Sequence, residues 1–163
     1  MSMLKSEFAR FAEVTNLLRS GVFAAVDDYI RRVDQLMLGL RCEIPMWLTQ
    51  DPLMIRVPHS VRNSTTDEFL KPGFTAVDAI ILGYQNTYVD NVEEWRLAIG
   101  CASFQMSPLG IAEPGWADGE PKDYGALIDE DSVELKLKAI LHVGDLLDAL
   151  QTLAEDRHNK LRS

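Results

Sequence analysis

The stretch that decides the fold is Ala76–Met106, AVDAIILGYQNTYVDNVEEWRLAIGCASFQM. Ala76 to Val89 is rich in Ile, Val, Tyr and Thr, and Trp95 to Met106 repeats that character. Such side chains suit a pleated, half-buried backbone. Asp90-Asn91 stands between the two halves with turn chemistry, so the stretch reads as a β-hairpin with a connection of about four residues. Trp95, Leu97, Ile99 and Cys101 fall on one face of the second strand, because successive side chains alternate. Arg96, Ala98, Gly100, Ala102 and Phe104 fall on the other, where the small residues would let a helix lie close against the sheet. Gly83 and Gly100 sit mid-strand, a position at which glycine marks a bulge or a close backbone approach.

Upstream, the first forty residues read as helix. Leu4, Phe8, Phe11, Val14, Leu18, Val22, Ala25, Tyr29, Val33, Leu36 and Leu40 recur in steps of three and four, one apolar stripe. Asp27–Arg31 and Asp28–Arg32 are acid-first pairs four apart, which support an exposed helical face. A single helix of about 35 residues would run about 50 Å, longer than a domain of this size is wide. Either Ser20-Gly21 breaks it, or its end projects and packs on another chain. Between helix and hairpin, Cys42, Ile44, Met46 and Leu48 alternate with polar neighbours and Trp47, which predicts a strand, with Pro45 confining it to an edge or a bulge. Leu53–Val57 reads as a second short strand. Residues 58–75 read as a loop with one helical turn near Asp67–Leu70.

Downstream, residues 107–131 hold four glycines and three prolines and read as a long loop. The final element is one helix over 131–157, with Asp131 and Glu134 at capping-box spacing and Ile140, Val143, Leu147, Leu150 and Ala154 forming its stripe. The fold class is therefore α+β: a helical N-terminal segment and a C-terminal helix on one face of a small antiparallel sheet, in one domain.

The chain has 163 residues, 47% of them hydrophobic, and a net charge of −9. That composition describes a globular protein with a real core and excludes general disorder. The charge is localised. Residues 77–106 carry one basic group against four acidic, and 107–131 carry one against seven, whereas the remaining segments balance. An acidic chain is poorly suited to holding phosphate backbones, so no direct nucleic-acid binding is expected. Its acidic surface, Glu93, Glu94, Asp118, Glu120 and Asp123 with Trp116 as an aromatic anchor, is expected to dock a protein partner of basic character. Cys42 and Cys101 are the only cysteines, and Met1–Phe8 lacks a secretory apolar core, so a reducing cytoplasm and free thiols are expected.

Catalytic signatures do not emerge. No phosphate-binding loop, dinucleotide fingerprint or nucleophile elbow occurs. His59, His142 and His158 have no metal-site spacing, and Asp118, Glu120 and Asp123 fail the calcium-loop template. No cofactor or metal is expected, and no 18-residue apolar run suggests a membrane span. The first functional expectation is a non-catalytic protein-binding module, self-associating as a homodimer through Leu18, Val22, Tyr29 and Val33 of the N-terminal stripe. Two alternatives stand beside it. One is an acidic inhibitor occupying the nucleic-acid groove of a host or phage protein. The other is a small enzyme or ligand-binding protein with its pocket between the sheet and loop 107–131.

Overall fold

The hairpin forms as two fifteen-residue strands, β3 (Thr75–Val89) and β4 (Val92–Met106), antiparallel and in register from Thr75–Met106 to Val89–Val92. The computed structural model describes residues 2–50, 52–58, 71–114 and 121–163, and of residues 2–8, 11, 17, 18, 56–58 and 112–114 the backbone only. The connection is tighter than four residues. Asp90 and Asn91 alone make the turn, with φ of 49° and 65°. Both sit in the left-handed region that a two-residue hairpin turn requires and that Asp and Asn tolerate best among side-chain-bearing residues.

Four short strands extend this hairpin. β1 (Met46–Trp47) and β2 (Met54–Pro58) pair with β3, whereas β5 (Ala112–Pro114) and β6 (Lys122–Ala126) pair with β4. The predicted strand over 42–48 thus contracts to two residues. Its alternation still names the right face, because Cys42, Ile44, Met46 and Leu48 all pack toward the main core. The predicted loop over 107–131 is corrected more strongly: it contains β5, β6 and a 3-10 turn at Leu127–Asp129. These segments are ordered by the free edge of β4, which supplies backbone partners their Gly/Pro-rich sequence does not advertise. The helical turn expected near Asp67–Leu70 lies outside the described residues.

The N-terminal stripe forms one helix, α1 (Ser2–Gly39), without a break at Gly21. Among its described side chains, Val26, Ile30, Val33 and Met37 of the second half enter the core. These pack against Ile80, Leu82, Tyr84, Leu97 and Ile99 on one face of the hairpin. The C-terminal segment is two helices, not one: α2 (Val133–Leu141) and α3 (Val143–Arg162), separated at His142 (φ −101°, ψ 0°). Ser132, not Asp131, caps α2, accepting the Leu135 N–H at 3.2 Å. Leu135, Ala139, Val143, Leu146 and Leu150 complete the main core.

Among the described residues, the small-residue face of β4 receives no helix. It receives an indole. Trp47 lies against Gly83 and Gly100, and a Cβ on Gly100 would stand 2.6 Å from the ring atoms Cη2 and Cζ3. Both glycines therefore mark a close approach, and a register shift between Ile99 and Gly100 in the β4–β6 pairing adds a bulge there.

Two polar links fix α1 to the rest. Asp27 does not serve the surface pairing with Arg31 that its spacing suggests; it meets the buried Lys136 ammonium of α2 at 2.8 Å. Asp34 accepts the Leu97 N–H at 2.7 Å. In an antiparallel ladder every second residue turns its N–H outward. Leu97 is such a residue, on the edge of β4 just before β6 begins to cover it at Ala98.

Candidate functional site

Two features stand out beyond the core. The first is the outer part of α1. At 1.5 Å per residue the helix is about 57 Å long, and among its described side chains the buried ones run from Val26 to Met37. Val22, Tyr29 and Leu36 are 44%, 42% and 60% exposed, and Val14 and Phe23 are exposed as well. The stripe of Val22, Tyr29 and Leu36 runs beside the core stripe, so α1 presents one apolar flank inward and a second outward, with Phe23 on the far side of the core stripe.

The expected self-association residues divide on this helix. Val22 and Tyr29 are on the exposed flank. Val33 is buried against its own sheet, so its side chain is already committed, and that expectation is corrected. It lies one turn from Tyr29 but about 40° round the axis, enough to place it among the core residues. The side chain of Leu18 lies outside the described residues.

The second feature is a cleft of about 220 Å³ between α1 and the tip half of the hairpin, walled by Arg31, Asp34, Leu38, Trp95 and Ile128 among others. Arg96 is nine-tenths buried there. Its Nη2 donates to the Val92 carbonyl and the Glu94 carboxylate, both at 3.2 Å, while its Nε finds no acceptor. Burial pushes the Asp34 carboxyl up to about 6, against the opposing effects of the Leu97 N–H and the Arg96 charge. The Tyr84 hydroxyl, fully buried beside Trp95 with ring centroids 5.7 Å apart, also lacks a partner. Burial, then the neighbouring Cys42, Asp34 and Glu43, push its ionisation above the usual range.

The expected acidic docking surface is not one cluster in the described residues. Glu93 is exposed at the hairpin tip, accepting from Asn86 at 3.1 Å. Glu94 turns to Arg96. Asp123 stands opposite Gly100 and accepts the Gly125 N–H at 2.8 Å. Six residues of strand, about 20 Å, separate Gly100 from Glu94. Trp116, Asp118 and Glu120 lie outside the described residues, as does the loop side of the pocket expected over 107–131.

Sequence reading passed over Asp34 and Arg96. A signal existed for Arg96, the one basic group among residues 77–106. None existed for Asp34, whose importance depends on meeting an edge N–H 63 positions away.

Among the described residues, no group of three or more His, Cys, Asp or Glu is placed to hold a metal ion. No helix there is long and apolar enough to cross a membrane. Comparison of the chain with known protein families, curated proteins and solved structures finds no match.

Proposed function

We propose that this protein is a non-catalytic protein-binding module that self-associates through α1. The observation carrying this reading is the apolar flank of α1 beside the core stripe, where Val14, Val22, Tyr29 and Leu36 remain exposed. Aliphatic and aromatic side chains lined along one rigid element form a contiguous patch, and such patches mark contact surfaces. A second copy is the occupant that needs no further component, and a two-fold pair is the commonest closed arrangement. Cys42 and Cys101, both free, support a cytoplasmic setting.

Light scattering at tens of micromolar should give twice the 18.3 kDa chain mass. Val22→Asp and Tyr29→Asp should each return the 18.3 kDa species. Both side chains lie outside the core, so neither change should lower the melting temperature by more than a few degrees. A monomeric wild-type chain at that concentration refutes the reading.

The unpaired Arg96 Nε supports a second reading, in which the cleft beside Asp34 holds a small anionic ligand. A panel of small carboxylates should then raise the melting temperature of the wild-type chain and not that of Arg96→Gln. No shift with any of them removes this second reading.

A further inference from the structure

The cleft between α1 and the hairpin opens where β6 stops. β6 pairs with β4 as far as Ala98–Ala126, and the chain then turns away through Leu127–Asp129. From Val92 to Leu97, β4 pairs with β3 alone among the described residues. Register shows which main-chain groups this leaves over. The Leu48 and Leu53 N–H groups donate to the carbonyls of Leu82 and Ile80, both at 2.8 Å. The even-numbered residues of β3 therefore turn their polar groups away from β4. Their partners across the ladder are odd-numbered: Leu82 stands opposite Ile99, and Tyr84 opposite Leu97. The odd-numbered residues of β4 thus turn their N–H and C=O away from β3. Leu97 agrees with this phase, because its N–H reaches Asp34 at 2.7 Å.

Glu93 and Trp95 share the phase of Leu97. Their N–H and C=O groups point out from the edge, and among the described residues no main-chain group meets them there. Glu93 to Leu97 spans four strand steps, about 13 Å. Asp34 already does for Leu97 what a neighbouring strand would do, since it supplies an acceptor to an outward N–H. An edge left open in this way is a template for another chain. Room exists beside it, in the cleft of about 220 Å³, and Leu38, Trp95 and Ile128 give that cleft apolar walls. Its charged side chains are two of each sign, Arg31 and Arg96 against Asp34 and Glu94. Arg96 is moreover held by Glu94 at 3.2 Å. Such a balance leaves little net field to draw an ion. What the cleft offers is a row of main-chain donors and acceptors between apolar walls, the complement of an uncharged extended peptide.

We propose that the cleft binds an extended, uncharged segment of a partner protein, which adds to the sheet as a strand beside Glu93–Trp95 and continues the line of β6. Main-chain bonds to Glu93 and Trp95 hold the segment. Its side chains alternate between two faces, so every second one meets the apolar walls, which select an aliphatic residue there. This deepens the protein-binding reading above without depending on self-association. Leu38 lies about 160° round the helix axis from Leu36, so cleft and exposed flank are different surfaces of α1.

The probe is the capped pentapeptide acetyl-Thr-Val-Thr-Val-Ser-amide, titrated into the isotope-labelled full chain and followed by nuclear magnetic resonance. The amide resonances of Glu93 and Trp95 should shift progressively, and hydrogen exchange at the Trp95 amide should slow as the peptide binds. Two further peptides carry N-methyl groups, one at its first, third and fifth residues and the other at its second and fourth. Each keeps the side chains and loses one alternate set of donors, so one of the two should lose binding and the other should keep it. Leu38→Lys, at a position 44% exposed, should weaken binding by about tenfold, the equivalent of one lost aliphatic contact, with the melting temperature within a few degrees of the parent. No shift at Glu93 or Trp95 with millimolar peptide overturns the proposal. Equal binding of all three peptides, or unchanged affinity in Leu38→Lys, overturns it as well. Benzoate shifting these resonances where the peptide does not would overturn it in favour of the anionic ligand. Each of these outcomes leaves the light-scattering test of self-association to stand or fall by itself.

Discussion

Replacing Gly100 with alanine tests the packing of Trp47 directly. The added methyl would stand 2.6 Å from two carbons of the indole and 2.9 Å from the Lys122 carbonyl oxygen. Carbon atoms make unstrained contact at about 3.5–4.0 Å, so the ring must retreat by about 1 Å. It cannot slide along the sheet freely, because it also covers Gly83. Overpacking of this kind costs about 1–3 kcal/mol. Full ejection of the ring would approach the about 3–5 kcal/mol of a tryptophan truncation, reduced here because Trp47 is only half-buried. We therefore expect a loss of about 2–3 kcal/mol, close to 1–1.5 M in urea midpoint if the slope is about 2 kcal/mol per molar. Trp47→Ala alone should cost a similar amount. Once the indole is gone the methyl at position 100 meets only the Lys122 carbonyl, so the double variant should be more stable than the sum of the two losses allows. The coupling should reach about 1–2 kcal/mol. Urea unfolding followed by circular dichroism measures all four corners of this cycle. Gly100→Ala within 0.5 kcal/mol of wild type, or strict additivity with Trp47→Ala, would refute the reasoning (0.5 kcal/mol being about the scatter of independent sites).

Asp34 predicts a pH dependence. Its folded-state value of about 6 lies above the ordinary carboxylate range, so the folded chain holds this proton more tightly than the unfolded chain. Its contribution is therefore greatest below pH 4 and is lost as pH rises through about 6. Asp34→Asn keeps an acceptor for the Leu97 N–H without the charge, and should raise the melting temperature at pH 7.5 while leaving it unchanged at pH 4. An equal shift at both values would remove burial of the charge as the cause. Asp27→Ala strands the Lys136 ammonium, whose side chain is 4% exposed. It should cost about 3–5 kcal/mol, and Asp27→Ala/Lys136→Met should recover most of it; no recovery in chemical denaturation would contradict the pairing. Asn91 has a φ of 65°, so Asn91→Val should cost about 1–2 kcal/mol through left-handed strain, whereas Asn91→Gly should be neutral or stabilising, and equal midpoints for the two would exclude the turn geometry described.

What the sequence by itself determined were features whose cause lies within a few residues, in type and face more than in exact bounds. Period-two alternation set the faces of the hairpin, and Asp90-Asn91 set its turn. The steps of three and four set α1 and the final helical segment. Competition between local preferences was harder to resolve. Gly21 disfavours helix by about 1 kcal/mol relative to alanine, and α1 continues through it because the helical turns on both sides supply their hydrogen bonds regardless. His142 carries no strong breaking signal, and the chain turns there as α2 gives way to α3, both of which contribute to the core. The cleft went unread: Arg96 left a signal as the one base among residues 77–106, and Asp34 left none.

The tertiary structure alone decided which distant partners meet. Trp47 filled the lane that the small residues of β4 left open, although that lane looked shaped for a helix. Asp27 bypassed its neighbour for Lys136, 109 positions away. β5 and β6 formed in a Gly/Pro-rich segment because β4 had an edge to offer. Each of these depends on register, which strand or helix lies opposite and at what offset. Periodicity and propensity act over a turn of helix or a few residues of strand, so they fix which face a side chain takes. They do not fix what stands across from it, because that position is set by burial of the whole core at once.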